Sequence, residues 1–298
     1  MDKPVEVADR VYAYPQHDGS WWVNTTGFVV GRRDIVAIDS CATRGRTERF
    51  RAAIAGVADL PVTRLVNTHH HGDHTYGNAL FDATVIGHEN CRTEALNDRA
   101  REEAGALWSP TPDWGDLPVD PPSVTFSHSL TLHVDDLRME LIHPGTPAHT
   151  RGDVVCWLPE QRVLFTGDLV FNGGTPLVMQ GSVTGSLEVL RFLRGFHAEI
   201  FVPGHGAPTT PDILDLHERY YRFVLRLAED ARARGLTPLE AARESDLGEF
   251  SDLLDPERIV LNLHRAYADL SGVGDVDLRQ AFADAIAYNG GRPLHCIA

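Results

Sequence analysis

The chain has 298 residues, of which 42 are acidic and 27 are Lys or Arg, so its formal net charge is −15. A surface this acidic repels phosphate backbones and anionic lipid, which excludes nucleic-acid binding through a basic face. Hydrophobic residues make up 43% and charged residues 23%, a composition typical of a folded globular protein rather than a disordered one.

The N-terminal segment and the cysteines bear on the cellular compartment. No basic segment followed by an apolar run opens the chain, and no apolar stretch reaches the ~20 residues that a membrane span requires. The four cysteines, Cys41, Cys91, Cys156 and Cys296, are far apart and form no CxxC pair, which indicates reduced thiols. These features predict a cytoplasmic protein without a membrane partner.

Short β-rich runs alternate with polar turns before residue 210, and helical spacing with Pro near each start follows. We predict strands at Trp21–Val30, Asp34–Asp39, Arg64–Asn67, Thr84–Ile86, Thr131–Val134, Arg138–Ile142, Asp153–Leu158, Val163–Phe165 and Glu199–Val202. We predict helices at Arg46–Ala58, Glu89–Ala104, Ser186–Gly195, Pro211–Gly235, Pro238–Ser245 and Pro256–Leu270. The region Gly105–Pro122, rich in Trp, Pro and Asp, is typical of a long functional loop.

Fifteen histidines is a high number for this length, and four of them stand in the heptapeptide THHHGDH at residues 68–74. His69 and His71, two residues apart, can point the same way and share one cation. Asp73 and His74 are close enough to supply a second cation beside the first. Imidazole and carboxylate donors suit zinc, with iron and manganese as alternatives. The stretch therefore predicts a metal site.

Three further elements with His or Asp stand beside Gly or Pro, at or near predicted strand ends: His149 in GTPAHT, Asp168 in FTGD and His205 in PGHG. Loops at strand ends place functional groups on a rigid scaffold, so we group these residues with the histidine cluster. His70, between two of the candidate ligands, is expected to face away from them as a supporting or exposed residue.

In chain order, the motifs HxHxDH, AHTxGD, TGD and PGHG resemble the metallo-β-lactamase superfamily of binuclear hydrolases over residues 5–210. The resemblance implies an α/β fold, a four-layer αββα sandwich with the metals at one edge and a C-terminal helical extension. It implies a first metal site formed by His69, His71 and His149. It implies a second site formed by Asp73, His74 and His205, with Asp168 bridging the two.

The same resemblance implies two divalent metal ions, with Zn²⁺ the expected identity. Two cations ~3.5–4 Å apart lower the pKa of a shared water toward neutrality, so a bridging hydroxide is the expected nucleophile. One metal would also stabilise the oxyanion of the tetrahedral intermediate. Asp73 is assigned the catalytic role, because it would hold a metal and orient the attacking water.

A narrower resemblance is to the cyclases and thioesterases of bacterial aromatic (type II) polyketide pathways. It is carried by the runs Val66–Asn78, Trp157–Glu160, Asn262–Ala266 and Ala287–Gly291. It implies that the metals also bind β-keto oxygens and stabilise an enolate, so one site would promote aldol ring closure and thioester cleavage. The expected partner is a small-molecule or carrier-linked acyl substrate.

Aromatic residues in the predicted loops are candidates for binding a flat substrate. They are Trp21 and Trp22 before the first hairpin, Trp108 and Trp114 in the long loop, and Phe171 shortly after Asp168. Pockets for small molecules are lined mainly by apolar and aromatic side chains. Each of these residues could equally anchor a loop by packing.

Other members of the superfamily fit less well. β-Lactamases of this fold usually carry Cys or Ser where this chain has Asp168, and RNA-processing members carry basic arms or extra domains. Flavo-diiron proteins need a flavin domain, for which no glycine-rich phosphate loop is present. A generic cytosolic thioesterase, a lactonase or a glyoxalase II-like hydrolase stays open. Arg222, Arg226 and Arg232 could mimic the basic glutathione-binding residues of glyoxalase II.

The resemblance ends near the change to helical spacing, which suggests a division of the chain. Residues 1–210 are expected to form the metallo-β-lactamase-like catalytic domain. Residues 211–298 are expected to form a helical region packed on the same domain, where it would cover the sandwich or provide a homodimer surface.

Overall fold

The computed structural model describes residues 3–98 and 107–298. The strands are β1 Val5–Ala8, β2 Val11–Pro15, β3 Thr25–Val30, β4 Ile35–Ile38, β5 Val62–Val66, β6 Thr84–His88, β7 Trp108–Ser109, β8 Val124–Phe126, β9 Ser129–Val134, β10 Leu137–Ile142, β11 Val155–Leu158, β12 Val163–Phe171, β13 Ile200–His205 and β14 Leu294–His295. The helices are α1 Arg44–Val57, α2 Gly72–Thr75, α3 Glu89–Asn97, α4 Val183–Arg194, α5 Ile213–Ala233, α6 Pro238–Glu244, α7 Arg258–Ser271 and α8 Leu278–Tyr288, with 3₁₀ turns at Asn78–Leu80 and Gly248–Phe250. None of the helices in these ranges is long and apolar enough to cross a membrane.

The strands form two large sheets and one short ribbon. The first sheet has the order β1-β2-β3-β4-β5-β6-β8, and the second has the order β13-β12-β11-β10-β9. In the first sheet, the strands from β4 to β8 run parallel to one another. In the second sheet, only β12 and β13 are a parallel pair. The ribbon pairs β14 with β7, which ties the end of the chain to the loop that carries Trp108.

Alternating side chains in the first sheet explain the sandwich. Val29 and Val36 belong to the core between the two sheets, whereas Phe28 and Ala37 belong to the core under helix α1. Successive strand residues point to opposite faces, so a strand buried on both faces must be apolar throughout. The four-layer α/β sandwich expected from the sequence is confirmed.

The outer face of the second sheet packs against the C-terminal helices. Leu164 and Phe201 of this sheet share one hydrophobic core with Tyr220 of α5, Leu263 of α7 and Ala281 of α8. Of the two expected arrangements, the structure shows helices that cover the sandwich. The division into two regions at residue 210 stays a prediction.

The predicted helix from Glu89 and the strands on either side of the metal motifs differ from the structure in their bounds. The helix extends to Asn97, and residues 99–104 of the prediction lie outside the described residues. Strand β12 runs past the predicted end at Phe165 to Phe171, because all nine of its residues are buried between layers. Asp168 therefore lies within the strand and not at its end.

Two predictions about strands and helices were wrong in more than their bounds. Trp21 and Trp22 lie in a turn and not in a strand, and Trp22 has a positive φ of 65°. Strands β1 and β2 and helix α8 were not predicted. In α8 the fully buried residues are Ala281 and Ala285, so small residues four apart replace the large apolar stripe that marks most helices.

Candidate metal centre and substrate cavity

The predicted ligands come from five places in the chain and meet at one edge of the sandwich. His69 and His71 lie in the loop after β5, and the short helix α2 carries Asp73 and His74. The remaining three ligands are His149 in the β10–β11 loop, Asp168 in β12 and His205 at the end of β13. Two groups of donor atoms result, each within 4.8 Å of one another: His69, His71, His149 and Asp168 in one, and Asp73, His74 and His205 in the other.

Asp168 connects the two groups. Its Oδ2 lies 3.4 Å from Nε2 of His149 in the first group and 3.4 Å from Nε2 of His205 in the second. Its Oδ1 lies 3.1 Å from Nε2 of His74. Asp168 therefore lies between the two donor groups, and the bridging role that the resemblance implies stays a prediction.

Hydrogen bonds hold each histidine with one ring nitrogen turned toward the centre. The Nδ1 atoms of four rings donate outward, which leaves Nε2 as the inward lone pair. Their acceptors are Thr68 Oγ1 for His69, Asp39 Oδ2 for His74, the Leu177 carbonyl for His149 and the Gly19 carbonyl for His205. His71 is reversed, because its Nε2 faces Gln180 Oε1 and its Nδ1 faces the centre.

The charges at the two groups differ. Burial lowers the pKa of His69 well below its ordinary value and that of His149 to about 3, so both rings are neutral near pH 7. Burial alone would also lower the pKa of His205, but Asp168 and Asp73 raise it to about 9. The pKa of His74 is raised in the same way: burial would lower it, but Asp168 and Asp73 outweigh that effect. The second group therefore calls for positive charge, which protons or a cation can supply.

The residues present fit a pair of divalent cations. His69 Nε2, His74 Nε2 and Asp168 Oδ1 are buried and have no partner with hydrogen-bond geometry among the described residues. A buried polar atom without a partner destabilises the fold, and the pair of bound cations would satisfy all three atoms. Five imidazoles and two carboxylates form the donor set that zinc prefers. These seven residues would hold the metals, whose identity and number stay predictions.

Close backbone approach explains the glycines of the PGHG motif. A Cβ at Gly204 would lie 1.9 Å from Oδ1 of Asp168, so any side chain there would displace the bridging carboxylate. Gly206 has a φ of 88°, and a Cβ there would lie 1.9 Å from the carbonyl oxygen of Asn172. The motif thus allows β13 to bring His205 against β12.

Asp39 supports the centre and was missed by the sequence reasoning. Its Oδ2 accepts hydrogen bonds from Nδ1 of His74 and from Oγ1 of Thr68, and its Oδ1 accepts one from the amide of Thr68. It is 1% exposed and has a φ of 61° at the end of β4. A single Asp after a strand carries no signal of its own, since it stands 30 residues before the His cluster.

The loop between β12 and α4 orients two of the histidine ligands through hydrogen bonds, and helix α7 in turn fixes that loop. The Leu177 carbonyl accepts from His149, and Gln180 bonds to His71. The buried Asn262 of α7 accepts from the amide of Val178 and donates to the carbonyl of Pro176. The C-terminal helices therefore contribute to the geometry of the metal centre without supplying a ligand.

We expect Gln180→Leu to weaken zinc binding by about 10-fold, because loss of the acceptor frees the His71 ring and its Nδ1 orientation. Gln180→Glu, which keeps an acceptor, should retain the affinity within a few-fold. Competition with a chromophoric chelator measures both, and Gln280→Leu on the exposed face of α8 is the control. Unchanged affinity in Gln180→Leu would show that packing alone orients His71.

The centre opens onto a cavity of about 570 Å³. His71, Asp73, Asp168 and His205 line it together with the predicted residues Trp21, Trp22, Trp108 and Phe171. Phe282 of α8 also lines it and was not predicted. Trp114 does not line the cavity, and its ring packs at a steep angle against Trp22 with centroids 4.6 Å apart.

A buried guanidinium packs against the aromatic wall, which is the side of the cavity formed by Trp21, Trp22, Trp108, Phe171 and Phe282. The guanidinium of Arg258 lies 4.2 Å from the Trp21 ring centroid and 5.3 Å from that of Phe171. Arg258 is neutralised by Asp255 at 2.8 Å. Phe171 in turn stacks on the His205 ring at 5.2 Å. The aromatic wall and the metal centre are thus in direct contact.

The sequence also drew attention to His70, beside the candidate ligands, and to three arginines as possible glutathione-binding residues. His70 belongs to neither donor group, as expected, but it is 5% exposed and lines the cavity, so of the two expectations, a supporting or an exposed residue, the exposed one was wrong. Arg222, Arg226 and Arg232 of α5 do not line the cavity, and Arg222 pairs with Glu218 of its own helix.

Comparisons with known proteins agree with this architecture. The family model of the Metallo-beta-lactamase superfamily matches residues 20–205. A solved metallo-β-lactamase from Pontibacter korlensis superposes with a TM-score of 0.62 at 20% identity, covering 74% of this chain and 99% of that one. At this identity the similarity shows the fold.

Two curated relatives are similar to the chain over most of its length. The α subunit of 2,4-dinitroanisole O-demethylase from Nocardioides sp. (strain JS1661) is 28% identical over 79% of this chain and 67% of that protein. Acyl-coenzyme A thioesterase MBLAC2 from Bos taurus is 24% identical over 63% of this chain and 78% of that protein. The matches to two further relatives cover about half of their lengths, 48% and 51%.

Proposed function

The chain belongs to the metallo-β-lactamase superfamily, and from this membership we propose that it is a metal-dependent hydrolase that cleaves acyl thioesters and closes rings on aromatic polyketide chains. One observation carries the proposal. The donor cluster opens onto a cavity of about 570 Å³ whose wall includes Trp21, Trp22, Trp108 and Phe282. A flat, partly aromatic acyl chain fits such a wall.

The relatives support the coarser part of this function. Members of the superfamily similar to this chain are metal-dependent hydrolases, and one of them is named an acyl-coenzyme A thioesterase. Thioester cleavage needs a polarised carbonyl, an activated water and exclusion of bulk solvent. When bound, two divalent cations supply the first two by Lewis-acid chemistry.

Asp73 would orient the attacking water. Its side chain lines the cavity and its Oδ2 lies 3.1 Å from Nε2 of His205. Although burial alone would raise the pKa of Asp73, His74 and His205 lower it to about 2. A carboxylate with so low a pKa accepts hydrogen bonds but takes up a proton poorly. Its position at the cavity wall beside His205 supports the role of orienting the water.

The aromatic wall would bind and flatten the substrate. Trp22 and Trp108 meet edge to face with ring centroids 5.7 Å apart, and Trp108 meets Trp21 at 5.1 Å. Interlocked rings of this kind are rigid, so they present a fixed surface for stacking. They also exclude water from the acyl chain, which would favour carbon–carbon bond formation over hydrolysis of an intermediate.

The run Asn262–Ala266, which carries part of the resemblance to polyketide cyclases, supports the finer proposal because it holds the loop that orients two of the predicted histidine ligands. Asn262 holds the loop of Pro176 and Val178, and Arg265 pairs with Asp269 beneath the same loop's continuation into α4. A glyoxalase II-like activity is less favoured, since the three candidate arginines of α5 lie away from the cavity. A generic thioesterase is the main alternative.

We expect the zinc-loaded protein to release thiol from an acetoacetyl thioester of N-acetylcysteamine at least about 100-fold faster than the buffer does. A thiol-reactive dye measures the release. A β-lactam, a simple lactone and a methyl aryl ether are compared in parallel, the last because one relative is named an O-demethylase subunit. Cleavage of the lactam or ether with no thiol release would reject the thioesterase. Ring closure is tested separately with a longer poly-β-keto thioester, whose aldol closure and dehydration appear in mass spectrometry as loss of water.

A further inference from the structure

A second, polar cavity adjoins the aromatic one. It has a volume of about 200 Å³ and is lined by Arg151, Arg265 and Asp275, among others. We call it the polar side chamber. Five residues line both cavities: His70, Glu94, Met179, Gln180 and Leu278. The acyl chain in the aromatic cavity would therefore reach the polar side chamber past these residues.

Almost every polar group in the polar side chamber has a partner. Arg151 pairs with Asp275 and lies 3.9 Å from Glu94. Arg265 pairs with Asp269 at 2.9 Å, and Gln180 bonds to His71. These pairs leave the chamber with no net demand for an ion. A neutral polar ligand group suits it better than a charged one.

His70 is the exception at the junction of the two cavities. Neither ring nitrogen has a hydrogen-bond partner among the described residues, and Nδ1 is fully buried. Nε2 is therefore the nitrogen that can face a ligand. The ring is only 5% exposed, and its nearest aromatic neighbour is His71 at 4.6 Å. Because Nδ1 is closed off and the side chain lines both cavities, Nε2 is the hydrogen-bonding atom that His70 can offer to a ligand there.

We propose that His70 is a specificity-determining residue that hydrogen-bonds a keto or hydroxyl oxygen of the acyl chain where it enters the polar side chamber. The preferred substrates are then acyl chains oxygenated beyond the thioester carbonyl, rather than plain alkanoyl or aryl chains. The acyl part of this inference rests on the proposed function. Nε2 donates to a keto oxygen in one tautomer and accepts from a hydroxyl in the other, so the same nitrogen can bind either oxygen type.

The test compares two acyl thioesters of equal length, one with a keto group remote from the thioester and one without, because a β-keto oxygen would lie at the metals instead. We expect His70→Phe to lower the ratio of their kcat/KM values by about 10-fold, because the buried hydrogen bond to the keto oxygen is lost. His70→Gln, which keeps a donor and an acceptor, should restore the ratio at least in part. His128→Phe, at an exposed histidine, is the control. A ratio within twofold of the wild-type value in His70→Phe overturns the proposal.

Two further measurements separate the specificity role of His70 from a role in the metal centre and from the proposed thioesterase activity. They are the zinc content and the binding of an acid that is not turned over. If zinc occupancy falls in His70→Phe and both substrates lose equally, His70 supports the metal centre and the proposal is rejected. If the wild-type protein cleaves no thioester, calorimetry still decides. It compares a naphthoate with the same acid hydroxylated on the remote ring. Preference for the hydroxylated acid that His70→Phe abolishes supports the role of His70, and equal affinities reject it, whatever the fate of the thioesterase.

Discussion

Replacement of Asp168 by Ala should lower kcat/KM by about 10³-fold or more, the largest effect expected of any single side chain here. Asp168 is the only residue whose two oxygens lie against both donor groups in the described structure, at 3.1 Å from His74 and 3.4 Å from His149 and His205. Its loss would remove a ligand from each metal and the anion that balances their charge. Turnover and metal content per chain measure the result.

Two further variants make the Asp168 prediction specific. Asp168→Asn keeps the volume and one oxygen but removes the charge, so it should fall close to Asp168→Ala in activity while retaining the fold. Asp59→Ala, at an exposed acid after helix α1, should match the wild-type protein. Circular dichroism checks the fold of all three. Wild-type turnover with full metal content in Asp168→Asn would remove the bridging role.

Removal of the metals is expected to abolish activity and to lower the melting temperature by about 8–16 °C. A ligand present at 1,000 times its Kd stabilises the native state by about 4 kcal/mol, and about 1 kcal/mol corresponds to 2–4 °C in a chain of this size class. Without cations, buried donors such as His69 Nε2 and His74 Nε2 would be left unsatisfied. Differential scanning fluorimetry with and without a chelator measures the shift.

Metal analysis and re-addition complete this experiment. About two equivalents of zinc-like metal per chain are expected, and one tightly bound iron would reject the binuclear hydrolase. Zinc should restore activity and melting temperature, whereas magnesium should not, because five of the seven donors are imidazoles and magnesium prefers oxygen. An identical melting temperature in protein proven free of metal would contradict the proposed metal centre.

The candidate ligands could be predicted from the sequence because much of the pattern is local. His69, His71, Asp73 and His74 lie within six residues, so the spacing along one loop and one turn of helix decides their proximity. Asp168 and His205 stand beside glycines, and the closeness of Gly204 to Asp168 shows why the glycine was part of the signal. The order of the four motifs along the chain, rather than any geometric argument, predicted that these residues belong to one site.

The supporting residues could not be predicted, because each acts across a long sequence separation. Asp39 reaches His74 over 35 residues and Gln180 reaches His71 over 109. Their types, one Asp and one Gln in loops, are common in any surface turn. The turn at Trp22 was missed for a related reason, since a positive φ in a large residue depends on the packing of its ring against Trp108.

By itself the sequence indicated the superfamily and the donor types, because four short motifs encode ligand types and spacing locally, and the resemblance implied the sandwich. Only the tertiary structure decided which aromatic residues line the cavity. Trp108 lines the cavity and Trp114 packs behind it in contact with Trp22, although both stand in one loop. It also decided that His70 is buried at the junction of two cavities. The burial of each side chain and the direction in which it points depend on residues elsewhere in the chain, such as those of α3, α7 and α8. No local sequence pattern carries that information.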